Sequence, residues 1–150
     1  MNKIRVGFIG TGRISDLHAI EYLNNPHAQI VALCDADPAL AETRAAAWGL
    51  DDVRVCGDYA ELLALEQVDL VDILLPHHLH AEVALAAMAA GKAVSLQKPM
   101  TLTLDEADRL VEAAASSQAR FRVFENFLFY PPIVKAKTLI DEGAIGTPLT

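Results

Sequence analysis

Cysteine is scarce in this chain: its 150 residues hold two, Cys34 and Cys56. They stand in separate strand-like segments with no second cysteine nearby in sequence, so neither a zinc-ligand spacing nor a disulfide framework is present. Both are expected to be reduced, buried and inert. Long apolar runs are missing too. The hydrophobic fraction is 53%, above the ~45–50% usual in soluble chains. Charges and turn residues nevertheless cut it into pieces far shorter than the ~20 apolar residues of a membrane span. Positive charge is also short, with 12 Lys and Arg against 20 Asp and Glu and a net charge of −8. Such a surface repels a phosphate backbone, which argues against nucleic acid as a partner. The opening Met-Asn-Lys-Ile-Arg-Val enters a strand pattern at once, leaving no space for a secretory leader, and the expected location is the cytoplasm.

What is present is an alternation of strand and helix signals long enough for one core that needs no staple. Residues 3–9 thicken into an apolar run ending in Gly10, a buried strand meeting a turn. A helix is expected over 13–24, with Ile14, Leu17, Ile20 and Leu23 inward, followed by a strand over 29–34 closed by Asp35. Asp37 caps the next helix with Pro38 at its first position, where a missing N–H costs nothing, and Gly49 follows its last turn. A short strand at 53–56 and a helical piece at 59–65 lead to the apolar run 70–75, which reads as a strand covered on both faces and stopped by Pro76. An Ala-rich helix near 81–90, a strand at 93–97, a helix at 104–116 and a strand at 121–125 complete the series. The pattern predicts an α/β fold, a doubly wound parallel sheet with helices on both faces. Residues 132–142 read as a helix stopped by Gly143, and Leu149-Thr150 as the first step of a further strand. The alternation thus fills residues 1–125, and 126–150 reads as a connecting helix and the first step of a further strand.

Between the first strand and first helix stands Gly10-Thr11-Gly12-Arg13-Ile14-Ser15. This is where a dinucleotide fold places its glycine loop: Gly10 permits the tight turn, and Gly12 lets the backbone approach a pyrophosphate at the positive end of the helix. Ser15 takes the third position, usually glycine. Taken alone, such a loop is equally explained by the steric needs of a strand-to-helix turn. Asp35 strengthens it, because a carboxylate at the end of the second strand is placed to bond the adenosine ribose hydroxyls. A plain turn aspartate is the competing reading. A carboxylate ~4 Å from a 2′-phosphate would cost up to ~4 kcal/mol at an effective dielectric near 20. Ala36 and Asp37 offer no compensating positive charge, so NAD is favoured over NADP.

Ligands of doubly wound sheets lie beyond the carboxyl ends of the strands. The later strand ends read Leu75-Pro76-His77-His78-Leu79-His80, then Gln97-Lys98-Pro99, then Glu125-Asn126-Phe127. With the glycine loop and the tail Gly143-Ala144-Ile145-Gly146-Thr147-Pro148, this set resembles the Gfo/Idh/MocA family of sugar- and cyclitol-type oxidoreductases over essentially the whole chain. Where that family typically ends its fifth strand in Glu-Lys-Pro, Lys98 and Pro99 match and Gln97 replaces the carboxylate with an amide. The resemblance implies that Lys98 lies near the nicotinamide ribose and the reacting carbon, orienting substrate and handling the hydroxyl proton. An ammonium there can donate to an alcohol or carbonyl oxygen and polarise it. Gln97 can still hydrogen-bond cofactor but cannot serve a role that needs negative charge. Pro76, His77 and His80 are expected to shape the cofactor rim and begin the next helix, and Asn126 to face the nicotinamide side. The cofactor set is thus Gly10, Thr11, Gly12, Arg13, Ile14, Asp35, Pro76, His77, His80, Gln97, Lys98 and Asn126. His78 and His80 lack carboxylate or thiolate companions at ligand spacing, so no metal is expected.

The resemblance also implies that 1–125 is the NAD(P)-binding domain and that 126–150 is a connecting helix and the start of a second, mostly antiparallel domain, mostly missing here. That domain would carry substrate contacts, a further catalytic residue and the oligomer interface, so a homo-oligomer is expected only of a longer chain. The leading expectation is the cofactor part of an NAD-dependent oxidoreductase acting on a secondary alcohol of a sugar, polyol or similar molecule, poorly active by itself. A non-catalytic NAD-binding sensor or scaffold stays open. A methyltransferase shares the glycine loop and acidic residue but has no use for a Lys-Pro pair at the fifth strand end.

Overall fold

The computed structural model describes residues 3–125 and 127–147. Among the described residues six strands form one parallel sheet: β1 (Ile4–Ile9), β2 (Ala28–Cys34), β3 (Arg54–Cys56), β4 (Leu70–Ile73), β5 (Ala93–Leu96) and β6 (Phe121–Val123). Their order is β3-β2-β1-β4-β5-β6, that of the dinucleotide-binding fold. β1 sits centrally between β2 and β4, so the chain's winding reverses there and a crevice opens at the carboxyl ends of these strands. The helices are α1 (Arg13–Asn24), α2 (Pro38–Ala47), α3 (Tyr59–Leu63), α4 (His80–Ala89), α5 (Leu104–Ser116) and α6 (Pro131–Asp141). The expected α/β fold is the one observed, and most element ends agree with the sequence reading within two residues. Leu149 and Thr150, read as the start of a strand, lie outside the described residues.

Local chemistry explains where the helices begin. The Asp37 carboxylate accepts from the Ala39 amide at 3.1 Å with Pro38 next to it, and Asp58 caps α3 in the same way. α5 opens on a reciprocal pair: Thr103 accepts from the Glu106 amide while the Glu106 side chain accepts from the Thr103 amide. Such caps stabilise a helix by about 1 kcal/mol each.

Two apolar layers flank the sheet. Against one face pack Leu62, Val83, Ala84, Ala87 and Leu110, over Val71, Ile73, Val94 and Leu96. Against the other pack Ala19 of α1 and Ala41 and Ala45 of α2, over Val6, Phe8, Ile30 and Leu33. Phe8 is fully buried and meets the rings of Tyr22 and Trp48 edge to face at 5.5 and 5.6 Å. Cys34 and Cys56, far apart in sequence, are direct register partners across β2 and β3. Both are buried free thiols. Burial, with the neighbouring Cys56 second, pushes the Cys34 thiol up to about 12, and burial pushes Cys56 up as well. Both therefore stay protonated, as expected of inert thiols.

Two expectations are corrected here. Ile14, Leu17, Ile20 and Leu23 do not point inward; they are 36–64% exposed, and Ser15 and Ala19 are the buried residues of α1. An every-third spacing drifts by about 60° per step around a helix, so four such residues span half the circumference and cannot share one buried stripe. Residues 15, 19 and 22 follow the true stripe, and the small Ala19 lets α1 lie close to the sheet. The run 70–75 is also not simply apolar: Asp72 lies within it, wholly buried.

The orientation of α1 is testable by urea denaturation. Leu17→Ser should leave stability within about 0.5 kcal/mol. Ala19→Leu should lower it by about 1–3 kcal/mol through overpacking. The reverse ranking would mean that α1 is rotated from this position.

Candidate functional site

The glycine loop is shaped by how closely three strand ends converge. Gly10 has a φ of +95°, and its amide donates to the Cys34 carbonyl at 2.8 Å. A Cβ here would lie 2.7 Å from the Leu74 carbonyl oxygen, so no other residue fits. Gly12 differs: a Cβ there would meet nothing within 4 Å. It precedes α1, and no side chain caps that helix end. Free amides and the positive end of the helix dipole therefore face open space, the setting in which a pyrophosphate binds. The Ser15 side chain in the third motif position is fully buried and donates to the Gly12 carbonyl at 2.6 Å. Its hydroxyl is thus satisfied inside the turn, which explains why glycine is dispensable there. Arg13 and Ile14 stand exposed on the first turn.

Asp35 sits half-buried at the end of β2 and locks the loop. One carboxylate oxygen accepts from both the amide and the hydroxyl of Thr11, at 2.8 and 2.9 Å. The other accepts from the Asp37 amide at 3.1 Å. Thr11 is fully buried, which makes it a structural anchor under the loop. Arg44 of α2 supports it from the other side, donating to the Thr11 carbonyl at 3.1 Å while paired with Asp16 at 2.9 Å. Sequence reasoning missed Arg44. Its charge is taken up by Asp16, so it leaves the negative character at Asp35 in place.

The two later loops meet through His80. This side chain is fully buried, with Nδ1 2.8 Å from the Pro99 carbonyl oxygen and Nε2 2.9 Å from that of Leu75. It begins α4, as expected, yet lies beneath the rim and ties the loop after β4 to the loop after β5. Pro76 and His77 are the exposed rim residues, and the His77 ring stands edge to face on His80 at 5.4 Å. Lys98 is exposed at the end of β5, before a cis peptide bond to Pro99. Asn126 lies outside the described residues.

Gln97 is buried rather than open to the crevice, being 9% exposed. It belongs to a polar seam on one face of β4 and β5 comprising Asp72, Ser95 and Gln97, against His18 and Tyr22 of α1. Burial, reinforced by the Asp72 charge, pushes the Tyr22 hydroxyl far above its ordinary range. Beside the seam a cleft of about 610 Å³ opens between α1 and Phe124, with His18, Tyr22 and Gln97 among its walls. His18 and Asp72 were not singled out from sequence. The available signal was Asp72 itself, because a carboxylate inside an otherwise apolar strand must find donors.

The two loop glycines separate folding from binding. Gly10→Ala should destabilise by about 2 kcal/mol or more, through its positive φ and the Leu74 clash. Gly12→Ala should cost no more than about 1 kcal/mol of stability. It should nevertheless weaken dinucleotide binding about tenfold, because the new methyl fills the approach. Chemical denaturation and calorimetric titration check both; unchanged binding by Gly12→Ala would contradict this placement of the site.

A family model described as an oxidoreductase family with an NAD-binding Rossmann fold matches residues 4–125. D-apiose dehydrogenase of Paraburkholderia graminis is 35% identical over 148 residues, covering 99% of this chain and 39% of that protein. Among solved structures, a lysine-to-alanine mutant of KijD10, a 3-ketoreductase from Actinomadura kijaniata, in complex with TDP-benzene and NADP, superposes with a TM-score of 0.88 at 30% identity, covering 97% of this chain and 46% of that one. The WlbA dehydrogenase of Bordetella pertussis, in complex with NADH and UDP-GlcNAcA, superposes at 0.87 with 28% identity, covering 95% and 43%. The chain thus spans about two fifths of the length of D-apiose dehydrogenase. Its sheet order, its glycine loop and these matches agree: the chain belongs to the Gfo/Idh/MocA oxidoreductase family, as its NAD-binding Rossmann part.

Proposed function

We propose that this chain is the cofactor-binding part of an oxidoreductase that prefers NAD and moves hydride between nicotinamide and a secondary alcohol of a sugar, polyol or similar small molecule. The observation that carries this reading is the open, uncapped start of α1 at Gly12 beside the Asp35 carboxylate. Gly12 and the first-turn amides at Arg13 and Ile14 would hold the pyrophosphate. Asp35 would accept from the ribose hydroxyls with the lone pairs that Thr11 and Asp37 leave free. Pro76 and His77 would line the rim of the crevice and Asn126 would complete its nicotinamide side. Bound there, the nicotinamide supplies a hydride donor or acceptor.

Lys98 is the residue of this chain that we assign to catalysis. Its ammonium, exposed at the mouth of the crevice, would donate to the substrate oxygen and polarise it, and Nζ would hold or return the hydroxyl proton. Substrate contacts and the rest of the active site are assigned to a second domain, into which residues 126–150 lead. In keeping with that role, α6 buries none of its residues. The similarity to D-apiose dehydrogenase, and to the WlbA dehydrogenase in complex with UDP-GlcNAcA, supports the substrate class.

Titration with NAD and NADP tests the cofactor assignment. NAD should bind at least ~10-fold more tightly, since Asp35 repels a 2′-phosphate. Asp35→Ala also loosens Thr11, so both affinities should fall; the informative quantity is their ratio, which should move toward one. Tighter binding of NADP by the wild-type chain would overturn the preference, and binding of neither would overturn the cofactor reading.

A further inference from the structure

The loop that carries Lys98 is held by a hydrogen-bond chain whose protons can be placed one by one. The Lys98 amide donates to Gln97 Oε1 at 2.8 Å, which turns Gln97 Nε2 toward His18 Nε2, 3.0 Å away. An amide nitrogen only donates, so His18 Nε2 must offer its lone pair. The imidazole proton therefore sits on Nδ1, which lies 2.8 Å from Asp72 Oδ2. The other Asp72 oxygen accepts from the Ser95 hydroxyl at 2.9 Å. Asp72 is fully buried and Gln97 almost so. Every donor points toward Asp72, and only one arrangement of protons satisfies the set.

A glutamate at position 97, the residue typical of the family, would require something different. When ionised its oxygens only accept, so the one facing His18 would need a proton on Nε2 while Asp72 still needs one on Nδ1. The ring would then carry two protons and a positive charge between two carboxylates. With the amide in place, the ring needs one proton and residue 97 cannot take one up. The other groups around His18 do not disturb this. Tyr22 on the same helix stays protonated through burial, Phe124 after β6 meets the ring edge to face at 5.0 Å, and Glu21 lies at the wall of the adjoining cleft.

We propose that Gln97 is a positioning residue: through His18 and Asp72 it fixes the main chain at Lys98 against the nicotinamide half of the cofactor, and its amide keeps that support in one protonation state. The proposal rests on the cofactor reading above. Its role is to anchor, where a carboxylate at the same place would also titrate.

Two measurements test it. Long-range proton–nitrogen spectra of the imidazoles in the isotope-labelled chain at neutral pH should show His18 protonated on Nδ1 and bare on Nε2. In Gln97→Glu both nitrogens should be protonated. An Nε2–H tautomer in the wild type would overturn the proton assignment, and a ring unchanged in the variant at every pH would overturn the claim that residue 97 sets its protonation. Titrations should then compare NAD with ADP-ribose, which lacks the nicotinamide ring. Gln97→Ala should weaken NAD about fivefold more than ADP-ribose, the size expected from losing one hydrogen-bonded support. Gln97→Glu should recover NAD affinity to within about twofold, because it keeps an acceptor for the Lys98 amide. Equal loss for both ligands, or no loss, would overturn the positioning role while leaving the cofactor reading intact. Failure of the wild-type chain to bind either ligand would overturn the cofactor reading and this role with it.

Discussion

The close approach of Gly10 to the end of β4 governs the geometry of the site. With the Leu74 carbonyl 2.7 Å from where a Cβ would be and the Cys34 carbonyl bonded to its amide, this one residue draws the ends of β1, β2 and β4 together. The chain must then leave β1 sharply, which aims the start of α1 at the crevice. Asp35 follows Cys34 directly and so arrives under Thr11, where its carboxylate ties down the loop. The amides of α1, the Asp35 carboxylate and the rim after β4 are brought to one edge by a single steric constraint. A larger residue at position 10 would disturb all of them together.

The two faces of the sheet divide the labour. One face of β4 and β5 is apolar and carries the main core with α3, α4 and α5. The other face carries Asp72, Ser95 and Gln97 against α1. A buried polar seam is tolerable only when each member is satisfied. No buried side-chain nitrogen or oxygen lacks a partner among the described residues. This seam and His80 connect the Lys98 loop to α1 and to the loop after β4, so Lys98 extends from a braced backbone although its own side chain is exposed. Precise placement of a reacting group depends on such support.

Much of this was legible in the sequence because it rests on local chemistry. Helix 13–24 and helix 104–116 lie at the bounds that the sequence pattern predicts, and the placing of Gly10, Gly12 and Asp35 follows from the strand-to-helix rhythm. The inward face of α1 is not legible from its large apolar residues, which point outward. Close packing over the sheet in fact selects the small Ser15 and Ala19. Sequence position places Gln97 among the cofactor residues but does not reveal that the fold turns its amide toward His18. That contact joins residues 79 positions apart, and no periodicity reports it. The pairing of Cys34 with Cys56 was hidden for the same reason: strand order is a tertiary property.

The central claim is that the carboxyl edge around Gly12 and Asp35 holds the dinucleotide. The most direct measurement is a backbone amide proton–nitrogen spectrum of the labelled chain, followed as NAD is added. The account predicts shifts confined to the amides of residues 10–15, 35–37, 75, 77–80 and 97–98, with residues such as Lys3, Gln29 and Asp51 around the opposite edge unmoved. Shifts centred on that opposite edge, or none at saturating NAD, would contradict it.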